Sequence, residues 1–299
     1  MENGRDLFAN VTSGIFNLDN LGGTTSSLFD LNELLAIYEF EDKRSKWNTY
    51  NFGGVNVPRT THIISDTINK EYLNAWAAKL GSNYKNIMDT ILDTGSLAHA
   101  YIEDFINFGK IKPSYEGFNK ANQMQSMKAY QNFKNFWTDF HKRGYIIEPL
   151  ITEMPFATPW YGGTMDFIAN IISPNGERKL FILDFKTSKK IGYSYFIQLI
   201  LYFKAYVFLR NNNIPAFTCN FQKDPGPVDG IGIIRVDKEL DKYEYILADS
   251  EHYYQFIMNL IDASDSMLNW YYNMNMIDSE YSNFRKCYIE GGGIDGIYR

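Results

Sequence analysis

The chain predicts an α/β (α+β) domain, a mixed central sheet flanked by helices, with a helical N-terminal part. Three observations carry this. Apolar residues recur at helical spacing from about residue 68 to 142. From Tyr145 the period changes to two. A long, mostly apolar helical stretch, Tyr193 to Arg210, then separates these strands from later ones. Helices, strands, one helix and strands again is the order of a layered mixed-sheet domain.

Residues 1 to about 57 read as an appendage. Gly22-Gly23-Thr24-Thr25-Ser26-Ser27 is loop chemistry, and Leu31 to Phe40 has the length of a short helix. Tyr50 to Val57 reads as a hairpin turning on Gly53-Gly54 and ended by Pro58. Ser65 or Asp66 would cap a helix over about 68–80, closed by Gly81. Ser82 or Asn83 would start the next, 84–108, closed by Gly109. A third covers about 120–142 and stops at Gly144. Strands follow near 145–154, 161–172 and 178–186. The helix from Tyr193 is apolar on most sides and should lie buried on the sheet. Further strands near 215–222, 230–236 and 243–247 precede a last helix over about 250–274. The main domain is thus 58–275. The tail, 276–299, carries Gly291-Gly292-Gly293 and reads as loose.

Composition narrows the function classes. With 45% hydrophobic residues the chain can build a substantial core. Two cysteines, Cys219 and Cys287, exclude a disulfide framework and a four-cysteine zinc or iron–sulfur site within one chain. The net charge of −6 argues against a generic nucleic-acid coat, but not against an enzyme with a local positive groove. Met1 to Asp6 leads into no apolar signal region, and Ile197 to Leu209 is too short and interrupted to span a bilayer. The expectation is a soluble, intracellular protein without a membrane partner. Lysines and arginines are denser over Lys110–Arg143 and Arg178–Lys190, where solvated surface charge is the ordinary meaning.

An acid, any residue, then lysine occurs as Glu41-Asp42-Lys43, Glu177-Arg178-Lys179 and Asp184-Phe185-Lys186. Only the last closes an apolar strand. Residues i and i+2 share a strand face, so Asp184 and Lys186 point the same way as Leu180 and Ile182. Asp166 makes a similar break after Gly162-Gly163-Thr164-Met165. The two strands are joined by Ser173-Pro174-Asn175-Gly176-Glu177. A turn centred on Asn175 puts Asp166 opposite Asp184, with Cβ atoms ~5 Å apart. A half-step shift would turn them to opposite faces. The expectation is therefore an odd-numbered loop with Gly176 at positive φ. Two carboxylates that close repel each other, and a divalent cation between them would remove the conflict.

Other residues admit two meanings. Glu153 ends the preceding strand, as a site acid or an edge-strand surface acid. Gly95, His99 and Glu103 share a helix face, where glycine would let another backbone approach. His99 is there a metal ligand or a structural histidine. Gln198 and Tyr202 stripe the long helix with Ala205 and Leu209, either packed or touching the lysine or a phosphate. Trp76, Phe133, Phe136, Trp137 and Phe140 would stack bases or, as their helical spacing favours, fill the core.

Taken in order, these pieces resemble the PD-(D/E)XK nuclease superfamily, in its RecB-like exonuclease branch, from about Trp47 to Tyr206. Val57-Pro58-Arg59-Thr60-Thr61-His62-Ile63-Ile64 is similar to its opening segment, and Leu73-Asn74-Ala75-Trp76 to its first helix. The histidine helix, Glu153, Gly163-Thr164-Met165-Asp166, Asp184-Phe185-Lys186-Thr187-Ser188-Lys189 and Gln198-x-x-x-Tyr202 complete the set. The resemblance implies a restriction-endonuclease-like core. It implies that Asp166, Asp184, His99 and the Phe185 carbonyl bind Mg²⁺ or Mn²⁺, and that Lys186 positions or activates the attacking water and stabilises developing phosphate charge. Glu103 and Glu153 would support the site, and Gln198 and Tyr202 would touch substrate or its surroundings. The implied activity is a DNA exonuclease on single strands or duplex ends, in replication, recombination or repair. An endonuclease of the same fold and a catalytically silent nucleic-acid-binding or assembly subunit remain alternatives. Abundant Asn, Ile, Tyr and Lys hint at an AT-rich genome, and so at the cytoplasm of a bacterial or phage-infected host.

Overall fold

The computed structural model describes residues 49–52, 55–68, 77–79, 81–112, 118–221 and 223–273. The appendage ahead of Thr49, Trp76, most of the helix expected over 68–80, and the tail lie outside the described residues.

A five-stranded mixed sheet carries the domain, with strands in sequence order across it. They are β3 (Ile146–Ala157), β4 (Gly162–Ile172), β5 (Arg178–Lys186), β6 (Gly230–Val236) and β7 (Tyr243–Asp249), after a small hairpin β1 (Thr49–Phe52) and β2 (Val55–Pro58). Neighbours are antiparallel except β5 and β6, which run parallel. The parallel pair needs a crossover, supplied by α4 (Tyr193–Asn211). Its residues from Phe196 to Leu209 are all buried, as expected for a helix apolar on most sides.

Helices cover both faces. On one lie α2 (Tyr84–Phe108) and α3 (Lys120–Lys142), packed over Phe167, Ala169, Phe181, Leu183 and Phe185. On the other lie α4, α6 (Tyr254–Asn273) and α1 (Thr60–Thr67), over Ile168, Leu180, Ile182, Ile231 and Ile233. Strand alternation thus feeds two separate cores. Phe133, Phe136 and Phe140 are core residues, 0–2% exposed, and do not offer faces for stacking bases. No helix among the described residues is long and apolar enough to cross a membrane.

Helix ends follow local chemistry. Gly109 closes α2 in the left-handed conformation (φ 72°), and Gly144 follows α3 at φ 87°. Asn119 caps α3 by accepting from the Asn122 N–H at 2.8 Å. Three expectations change. Ser65 and Asp66 stand in the last turn of α1 rather than capping a later helix. Residues 215–220 are not a strand but the short helix α5 (Pro215–Asn220), with Pro215 in its first turn, where its missing N–H costs nothing. The hairpin β1–β2 belongs to the main core through Tyr50, Phe52 and Val57, so it is not part of an appendage ending at residue 57. Gly162 accommodates it, since a Cβ there would lie 2.5 Å from Tyr50.

Candidate metal centre

The β4–β5 hairpin sets the site. Phe167 pairs with Leu183 and Ile172 with Arg178, a register centred on Asn175. The Ser173 N–H donates to the Glu177 carbonyl at 2.9 Å, and Gly176 takes φ 84°. The loop is odd-numbered, so Asp166 and Asp184 are the next positions in register. There the ladder changes character. The Phe185 N–H donates to Asp166 Oδ2 at 2.8 Å, a carboxylate in place of a carbonyl.

His99 comes in from α2. Its Nδ1 lies 3.6 Å from Asp166 Oδ2 and 3.7 Å from Glu153 Oε1, and its ring meets Phe185 edge-on at 5.9 Å. One ligand atom each from His99, Glu153 and Asp166 lies within 4.8 Å of the others, the spacing of a cation's shell. Glu153 thus lies beside His99 and Asp166. Its backbone is left-handed in mid-strand, at φ 47°. That conformation costs a non-glycine residue about 1–3 kcal/mol, and such strain clusters at functional sites.

Asp184 does not join this tight group. Its carboxylate is drawn to Lys186, whose Nζ lies 2.6 Å from Oδ2, while Asp166 is drawn to Phe185 and His99. Asp184 is fully buried; its Oδ2 forms a short ion pair with the Lys186 ammonium, and Oδ1 has no hydrogen-bond partner among the described residues. An unsatisfied buried acceptor costs about 1–3 kcal/mol, more when charged. For Phe185 the described contact is its N–H; its carbonyl remains an expectation.

Lys186 is held from three sides. Besides Asp184, it donates to Gln198 Oε1 at 3.2 Å and sits over the Tyr195 ring at 4.9 Å. Gln198 Nε2 donates in turn to Tyr202 Oη at 2.6 Å. Gln198 thus touches the lysine, and Tyr202 orients Gln198. Tyr195 was not expected, though it precedes Gln198 by three residues on the same helix face, where the stripe would have found it. Glu103 stands behind Glu153, accepting from Thr152 Oγ1 at 3.5 Å. Gly95 meets only the Thr187 side chain, 3.7 Å from where a Cβ would sit, and not a backbone.

The electrostatics are those of excess negative charge in low dielectric. Burial opposes the charged form of His99, but Asp166 and Glu153 outweigh it and raise its pKa to about 9. Burial raises Asp184 against the pull of Lys186, and Asp166 adds to the rise. Lys186 is raised, since Asp184 and Asp166 overcome its burial. Glu103 is raised by burial, then by Glu153 and Asp104.

A second acidic group, Asp249, Glu251 and His252, contrasts with the first. It is largely exposed, Lys179 pairs with Asp249 and Glu251, and two N–H groups already bond Asp249. Several cations of the two basic stretches are likewise tied to acids, as Lys112 is to Asp104 and Arg178 to Glu148.

The donor set, carboxylate oxygens and one imidazole with a further buried carboxylate beside them, is of the kind that holds a hard divalent cation. No family model matches the chain. No curated protein matches it.

Proposed function

We propose that the chain is a DNA phosphodiesterase dependent on Mg²⁺ or Mn²⁺, built on a restriction-endonuclease-like core and acting as an exonuclease of the RecB-like kind. One observation carries this reading. Asp184 is fully buried, with the Lys186 ammonium 2.6 Å from Oδ2 and no partner for Oδ1 among the described residues, next in register to Asp166 of the His99–Glu153–Asp166 group. A cation would balance such a cluster of acids.

His99, Glu153, Asp166 and Asp184 would hold the cation. When bound, it would supply positive charge that polarises a phosphate oxygen and acidifies a coordinated water. Asp166 stays oriented by the Phe185 N–H, and His99 would give up its proton to serve as ligand. In the metal-free protein Asp184 and Asp166 favour the ammonium form of Lys186. In that form it would donate hydrogen bonds, orienting the water and stabilising charge that develops on the phosphate. Gln198 and Tyr195 fix where that ammonium points.

The test is digestion of 5′- and 3′-labelled DNA with Mn²⁺, using linear and circular single strands. Linear strands degraded while circles survive is the expected result. Cut circles would favour an endonuclease, and untouched DNA of every form a silent binding subunit.

A further inference from the structure

We propose that Arg59 is a phosphate-binding residue that grips a backbone or terminal phosphate of the strand beside the metal centre. This rests on the nucleic-acid reading of that centre. Arg59 is the N-cap of α1, with no side-chain cap on that helix and no acid in its first turn. A cation is disfavoured at a helix N-terminus, where the macrodipole is positive, unless an anion joins it. Among the described residues no carboxylate pairs with Arg59. Its Nε is buried without an acceptor, while the residue as a whole stays partly open to solvent.

Its position is fixed from below. The guanidinium lies over the Tyr50 ring, 5.6 Å from the centroid. Tyr50 Oη is hydrogen-bonded with Thr164 Oγ1 at 3.1 Å, two residues before Asp166 on β4. The Arg59 backbone bridges that of Gly162 on the same strand. Tyr50 also disfavours ionisation of Tyr202, as do Asp166 and Asp184, so these groups share one neighbourhood. A cationic fork stacked on an aromatic ring, at a helix start, matches phosphate oxygens better than a point charge would. The arrangement is complementary: carboxylates that attract a cation stand beside an arginine that lacks an anion. A strand crossing both would place one phosphate at the metal and another at Arg59.

The experiment is fluorescence anisotropy of labelled single strands in Ca²⁺, over a salt series, with wild type, Arg59→Met and Arg59→Lys. Arg59→Met should weaken binding about fivefold or more and reduce the slope of log K against log salt by about 0.7, one phosphate's worth. Arg59→Lys keeps the charge but loses the fork; it should fold and bind with intermediate strength, which preserves the test if the methionine variant unfolds. In Mn²⁺, Arg59→Met should raise KM with kcat nearly unchanged, since the contact is alike in ground and transition states. A purely structural role would lower the melting temperature and leave the salt slope alone. Loss confined to 5′-phosphorylated strands identifies a terminal phosphate; equal loss on 5′-hydroxyl strands and circles identifies an internal one. Unchanged slope and KM in a protein that cleaves would overturn the inference while sparing the nuclease reading. An Arg59-dependent slope without any cleavage would do the reverse.

Discussion

Two lysines are buried against aspartates in this molecule, and they are not alike. Lys204, on α4, bonds Ser264 Oγ at 2.8 Å and pairs with Asp265, both on α6. Burial lowers its pKa, and Asp265 and Asp262 only partly compensate. Lys186, at the end of β5, is raised, because two buried carboxylates outweigh the same burial. Asp265 keeps 17% exposure, whereas Asp184 has none and its Oδ1 lacks a partner among the described residues. The first pair is finished: it joins two helices. The second is incomplete, with more negative charge than its own lysine and histidine balance. Buried charge alone does not distinguish a functional site; an excess of buried acids over their partners is what the proposed cation would balance.

Substitutions sharpen the contrast. The largest effect falls on Lys186→Met or Asp184→Asn, which should lower DNA cleavage about a thousandfold, within the range for losing a main electrostatic stabiliser. For Asp184→Asn thermal unfolding should shift little, since burial already disfavours the charge of this carboxylate. Near-normal cleavage by either variant would remove the assignment. Next comes His99. Its raised pKa means that the stability it gives the metal-free protein is fully present below pH 6.5 and is lost as pH rises through about 9. Calorimetry of Mn²⁺ binding at pH 7.5, in buffers of different ionisation enthalpy, should find about one proton or more released. Binding without proton release would contradict His99 as a ligand. Lys204→Met should cost about 1–3 kcal/mol, below the usual loss for a broken buried pair because Asp265 can reach water. Cleavage per folded molecule should stay at the wild-type level; a kcat loss like that of Lys186→Met would erase the distinction between the two lysines. The smallest effect is Gly95→Ala, expected to stabilise by about 0.5–1 kcal/mol, because its Cβ would make only an ordinary contact with Thr187. A destabilised variant would mean that α2 packs more tightly on the loop after Lys186 than this.

The hairpin was the most legible part. Its loop length, Gly176 and the two apolar strands sufficed to place Asp166 and Asp184 in register. The helices 84–108 and 120–142 were equally plain, with a long period and glycine at the ends. Residues 215–220 misled because Phe217 and Phe221 suit a strand, whereas Pro215 starts a helix whose aromatic residues pack on Tyr206. The local geometry of Glu153 was not legible, for a different reason. Nothing in Thr152-Glu153-Met154 announces a left-handed backbone, which depends on the surrounding sheet holding it.

Local pattern by itself determined the fold class, the pairing of β4 with β5 and the types of residue at their ends, because periodicity and turn chemistry act over a few residues. Only the tertiary structure decided which acids face His99, that Asp184 goes to Lys186, and that Arg59 rests on Tyr50 without a carboxylate. Those outcomes depend on desolvation and on contacts between segments up to a hundred residues or so apart, and neither is written in the spacing of any one segment.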